Sequence, residues 1–180
     1  RYYVCMGGPS LLDGRHGGTV KALVVCYSNS GTTRVVAERI AAHLGADLEL
    51  IEEKKPRPQL VLDGQKAQAG GGALAKAAMA AVFGFGSAIA EPKHSPAEYD
   101  IVVVGTPVWA GSLTPAVRSY LKRNRRAFNR VAFFCTAGDP AKLRALSQMR
   151  KLARKDPVAT VAVKAEEART DACTGELSAF

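Results

Sequence analysis

Apolar and polar positions along this chain alternate between short solid runs and helical stripes. Lys21–Tyr27 (KALVVCY) is a continuous apolar run that stops at turn-forming residues, the pattern of a buried strand. Val36, Ile40 and Leu44 then recur at i, i+4 and i+8 with Arg34, Glu38, Arg39 and His43 off that stripe. Gly45 closes the segment, so an amphipathic helix with a C-terminal glycine is predicted. Asp47–Glu52 (DLELIE) alternates as a second strand, nearer the sheet edge. Residues 53–70, with Pro56, Pro58, Gly64 and Gly70, predict a long loop. Ala73–Val82 is alanine-rich and helical in propensity, ended by Gly84-Phe85-Gly86.

Tyr99–Gly105 (YDIVVVG) is the clearest buried strand. Thr114-Pro115 supplies an N-cap and a proline at the first helical position, and Val117, Tyr120, Leu121 and Asn124 form the inner face that follows. Arg130–Thr136 (RVAFFCT) is a fourth strand. Asp139-Pro140 repeats the start signal ahead of an inner face of Leu143, Leu146, Met149 and Leu152, and Pro157–Lys164 (PVATVAVK) is a fifth strand. The tail leaves room for a short helix at Thr174–Phe180. Residues 1–20 are glycine-rich without a period and read as an extension, or a cloning remnant, ahead of a domain of residues 21–180.

Helices alternating with solidly apolar strands predict an α/β fold, a doubly wound five-stranded parallel sheet with helices on both faces. Ligands of such sheets bind beyond the carboxyl ends of the strands, where the strand order reverses. Loops 27–33, 105–111 and 135–140 leave those ends.

Composition narrows the class. A chain of 180 residues, 47% hydrophobic and 23% charged, is ordinary for one globular domain. No apolar run approaches the ~20 residues of a membrane span, and the N-terminus does not read as a signal peptide; a cytoplasmic protein is expected. Cys5, Cys26, Cys135 and Cys173 have no metal-ligand spacing and read as free thiols. The net charge of +9 is uneven: between Thr114 and Lys155 stand twelve Lys and Arg against the single Asp139. Such a patch suits an acidic protein, nucleic acid or an anionic surface, although a solvated pair of helix faces looks the same in sequence.

The first loop carries the most chemistry. Ser28, Asn29, Ser30, Gly31, Thr32 and Thr33 place hydroxyls and backbone N–H groups at a helix start, a cradle for a phosphate. By itself this is also what a helix cap looks like. Gly31-Thr32-Thr33 lacks the lysine of a nucleoside-triphosphate loop, and a dinucleotide fingerprint would need two further glycines. Six residues beyond Cys26 stands Thr32, not the arginine of a low-molecular-weight phosphatase, and the acidic residues of a phospho-receiver are absent.

Ser28–Thr33 closely resembles the phosphate loop of flavodoxins, roughly T/S-x-T/S-G-x-T. Tyr99–Pro115, through Thr106, Pro107, Val108, Trp109, Ala110 and Gly111, resembles the second flavin-binding segment of that family. Phe133–Asp139, with Thr136, Ala137, Gly138 and Asp139, resembles the third. The resemblance runs in order over residues 21–165 and implies strand order 2-1-3-4-5 and a bound FMN. Residues 28–33 would hold its phosphate, Trp109 would stack on the isoalloxazine, and 136–139 would approach the other edge. It also implies oxidoreductase chemistry, electron transfer or reduction of a small acceptor such as a quinone, with a redox partner or small-molecule acceptor and no side chain as general acid or base. Two strand spacings of about 4.8 Å would hold the Cα atoms of Cys26 and Cys135 near 10 Å apart, too far for a disulfide.

Three features depart from the family pattern. Electron-carrying flavodoxins are typically acidic, whereas this chain is basic on two helices, which speaks against a conventional carrier role; an acidic protein partner at the basic helices is expected rather than nucleic acid. The third loop has no aromatic, so one flavin face is expected to be open. Ala110 stands where glycine is common, and alanine resists positive φ, so weaker support of the one-electron reduced state and a leaning to two-electron chemistry are expected. The alternative reading is a flavin-free binding module acting through the basic helix face.

Overall fold

A computed structural model of the chain describes residues 20–55, 85–138 and 144–168. The N-terminal extension, the helix expected at Ala73–Val82, most of the loop before it, Asp139 and the tail helix lie outside the described residues. The elements are β1 (Ala22–Cys26), α1 (Thr32–Leu44), β2 (Asp47–Leu50), a 3-10 turn (Pro96–Glu98), β3 (Ile101–Trp109), β4 (Ser112–Leu113), α2 (Pro115–Asn124), β5 (Arg130–Ala137), α3 (Ala145–Ala153) and β6 (Thr160–Lys164). The five parallel strands run in the order β2-β1-β3-β5-β6, which is the expected order once the two-residue β4 is set aside. That sixth strand is an addition: it folds back on the end of β3, pairing Val108 with Leu113 and Trp109 with Ser112. Strand β3 runs four residues past the end of its apolar run.

Alternation along the strands divides the core into two layers. Leu23, Val25, Val102, Val104, Val131 and Phe133 face α2 and α3, joined there by Tyr120, Leu121 and Met149. Val24, Cys26, Val103, Ala132, Phe134 and Val163 face α1 through Val36, Ala37 and Ile40. Gly105 is set by this packing, because a Cβ there would lie 2.0 Å from the Phe134 ring of the adjacent strand. Helix α1 ends as expected: Gly45 takes φ 61°, and the Gly45 and Ala46 N–H groups both donate to the Ala41 carbonyl.

Cys26 and Cys135 are free and buried. They also point away from each other, since Cys26 lies in the α1 layer and Cys135 lies two residues along the strand from Phe133 of the other layer. Strand separation and direction both keep them apart. One member of the basic stretch is not on a solvated face: Arg118 is only 8% exposed, and burial lowers its pKa.

Candidate functional site

Strands β1 and β3 are parallel neighbours from which the chain departs in opposite directions across the sheet, which makes their carboxyl ends the switch point. Loop 28–33 follows β1. Gly31 takes φ 87° to turn the chain into α1, and its carbonyl accepts the Val35 N–H at 3.1 Å. The Arg34 N–H reaches the Ser28 hydroxyl at 3.3 Å, leaving the N–H groups of the preceding helical residues as the unspent donors of the first turn. Ser30 is exposed and its hydroxyl lies 3.4 Å from that of Thr32. Thr33 behaves differently from the other cradle residues. It is 1% exposed, and its hydroxyl is 2.7 Å from that of Thr136 at the end of β5. This bond fastens the first loop to the third.

The second loop is a hairpin rather than an open loop. Ala110 and Gly111 join β3 to β4 with φ of 48° and 75°. Two residues of positive φ in a two-residue connection make the tight turn whose twist matches its flanking strands. The expectation that alanine would avoid positive φ is thus corrected. Pairing of Trp109 with Ser112 leaves only two residues to reverse the chain, and helix α3 locks that register from outside. The Gln148 side-chain carbonyl accepts the Leu113 N–H at 3.1 Å, and the Arg144 N–H donates to the Gly111 carbonyl at 3.0 Å. The argument against the one-electron state that rested on Ala110 therefore has no footing.

Thr106 and Thr114 are 0% exposed and hold the base of this hairpin. The Thr106 hydroxyl donates to the Pro107 carbonyl at 2.9 Å and accepts the Thr114 N–H at 3.2 Å. Pro107, Val108 and Trp109 are half-buried and Ala110 is exposed. The Trp109 ring meets Tyr27 edge to face, centroids 5.9 Å apart and planes at 84°. In the third loop Thr136 and Ala137 are buried and Gly138 is exposed, with no aromatic among them.

The three loops named from the sequence thus meet, two of them through side chains that had been assigned to a ligand. Two residues were missed. Tyr27 supports Trp109 and hydrogen bonds Glu53 through its hydroxyl at 3.1 Å; its place as the last apolar residue before the first loop was the available signal. Gln148 had none, because its role depends on α3 crossing β4. Burial pushes both thiols at these strand ends up to about 12, with Glu38 adding to the effect at Cys26. Neither is a nucleophile. Among the described residues no cluster of His, Cys, Asp and Glu could hold a metal ion, and no helix is long and apolar enough to cross a membrane.

A doubly wound parallel sheet with a helix-start cradle, a tryptophan hairpin and a small third loop at its switch point is a flavoprotein fold of the α/β class. The model of the flavodoxin family matches residues 21–163, and the chain belongs to that family. No curated protein matches it closely enough to count as a relative. Among solved structures, a Bacteroides eggerthii protein described as a flavoprotein shares 23% identity over 88% of this chain and 96% of its own, with a TM-score of 0.63. A Lactobacillus acidophilus flavoprotein, solved in complex with FMN, shares 21% over 86% and 99%, with a TM-score of 0.61. Oxidised flavodoxin 2 from Bacillus cereus shares 14% over 89% and 97%, at 0.51.

Proposed function

We propose that this chain binds FMN across the ends of β1, β3 and β5 and acts as an oxidoreductase, in electron transfer or in reduction of a small acceptor such as a quinone. The observation that carries this reading is the convergence of the three loops, tied by the Thr33–Thr136 hydroxyl pair and the Tyr27–Trp109 contact. The fit with a flavin monophosphate is chemical. The cradle offers N–H groups and the hydroxyls of Ser30 and Thr32 without a lysine, and a Cβ on Gly31 would meet nothing within 4 Å, so a ligand can approach the backbone closely. Asn29 precedes Ser30 in the same loop. Trp109, held from behind by Tyr27, is the stacking residue, and Ala110 and Gly111 present main-chain groups beside it. Thr136, Ala137 and Gly138 border the other edge, with Asp139 next in sequence, and leave room for a small reactant.

Bound there, the flavin supplies the redox chemistry, and the protein binds and orients it. Trp109 is the only tryptophan, so its emission reports on the site. FMN added to flavin-free protein is expected to quench that emission, and Trp109→Phe is expected to bind flavin about tenfold more weakly, the loss of ~1.4 kcal/mol of stacking. Equilibrium dialysis showing no FMN uptake by the native chain would overturn the reading and leave a binding module. Bleaching of bound flavin by NAD(P)H alone supports a small-acceptor reductase. Bleaching that requires a protein donor supports a carrier.

A further inference from the structure

The basic residues that the sequence spreads over two helices meet at one place. Lys122 and Arg123 lie in the last turn of α2, Arg125 and Arg126 in the turn after it, and Arg130 opens β5. Arg150 and Lys151 lie in the last turn of α3, and Arg154 and Lys155 begin the passage to β6. Because β5 and β6 are parallel neighbours and α2 packs beside α3 on one face, all nine sit at the amino-terminal rim of that half of the sheet. Arg118 is buried and Arg144 belongs to the opposite end, at the start of α3.

This rim is poorly neutralised. Arg123 pairs with Glu91 and Arg150 with Asp156; the other seven have no carboxylate within ion-pair distance among the described residues. Cations in a last helical turn answer the helix dipole, but Arg125, Arg126, Arg130, Arg154 and Lys155 lie beyond the helices. Arg154 closes α3 at φ 54°, its N–H donating to the Arg150 carbonyl at 3.0 Å. That left-handed position is one glycine fills without strain, yet it carries a charged side chain.

The chemistry of the rim selects its partner. Six of the nine are arginines, whose planar forks match carboxylates two hydrogen bonds at a time. The neighbouring aromatics Tyr120 and Phe128 are buried, which leaves no platform for stacked bases. Phe85, the one large hydrophobic exposed among the described residues, belongs to the segment beside the start of α2, where the Ser87 N–H donates to the Pro115 carbonyl; among the described residues no large apolar side chain stands exposed at the rim to enter a bilayer. The geometry points to a docking surface at this rim for a carboxylate-rich segment of a partner protein. From Arg130 to Ala137 the sheet rises about 23 Å, at roughly 3.3 Å per residue. A segment bound at the rim therefore leaves the ligand loops open, and it tethers the protein instead of exchanging electrons with it. The docking surface itself does not depend on the flavin reading.

Fluorescence anisotropy of a labelled fifteen-residue polyglutamate peptide, with the full chain at low and high salt, tests the surface. The native chain is expected to bind the peptide in a salt-sensitive manner. Arg125→Glu, Arg126→Glu and Arg154→Glu together should weaken binding at least tenfold, whereas Arg39→Glu, Lys54→Glu and Lys93→Glu, an equal change of net charge elsewhere, should stay within threefold of native. Arg154→Gly should bind about threefold more weakly while melting at the same or a higher temperature, a separation that a purely structural arginine would not give. Equal losses in the two triple variants would overturn the proposal. So would tighter binding, through the same residues, of a short DNA duplex or of phosphatidylserine vesicles.

Discussion

Ala110 holds a backbone conformation that its own side chain disfavours, and the reason lies outside the residue. A left-handed alanine costs about 1 kcal/mol, and the hairpin imposes it because Trp109 and Ser112 are paired across a two-residue turn. Asparagine suits the first position of such a turn. Ala110→Asn is therefore expected to raise stability by roughly 0.5–1 kcal/mol, read as a higher urea midpoint with an unchanged slope. The sequence reading of this residue failed because it weighed intrinsic preference alone, while register set by neighbours decided the angle. Gly45 was legible for the opposite reason: it was expected to close the first helix, and there local preference and the observed φ of 61° agree.

At the scale of elements, the solid apolar runs were legible because each central strand is covered on both faces. Their ends were less so. Thr106-Pro107-Val108-Trp109 looks like a loop in sequence; its first two residues become strand by pairing with Cys135 and Thr136 of β5, and its last two because β4 returns to pair with them. Helix α3 shows a similar limit: of the inner face expected at Leu143, Leu146, Met149 and Leu152, Met149 is buried as expected, but Ala145 and Ala153 complete the buried stripe and Leu146 and Leu152 flank it. Small residues let α3 lie close to α2 and β4 and bring Gln148 within reach of the hairpin. Gln148→Leu removes the acceptor of the N–H of buried Leu113 and should cost about 1–3 kcal/mol. The same variant is expected to bind FMN more weakly in the tryptophan-quenching titration, since Ala110 and Gly111 lose their support. Unchanged stability and affinity would show that the hairpin holds its own shape.

For the whole molecule, the two thiols tie stability to pH. Cys26 and Cys135 ionise near the ordinary value of 9.0 when the chain is unfolded, and burial pushes both up to about 12 in the folded state. The unfolded chain thus gives up protons first as pH rises. Their contribution is fully present below about pH 9 and is lost progressively toward pH 12. Urea midpoints measured at pH 8 and pH 10.5 should fall, and the fall should be smaller in the double variant Cys26→Ala, Cys135→Ala. Charge was the least legible property at this scale. Its amount can be counted in the sequence, but its gathering at one rim follows from α2 and α3 ending side by side, which no single segment encodes.

The hydroxyl pair between Thr33 and Thr136 spans 103 positions of chain. During synthesis the first loop leaves the ribosome long before its anchor exists, and β1 must also wait for β3, which follows it by some 75 residues. A nascent chain halted before residue 136 carries the complete 28–33 loop without the hydroxyl that fastens it to the third loop. Joining of the first and third loops therefore belongs to the finished sheet, after β5 has paired beside β3.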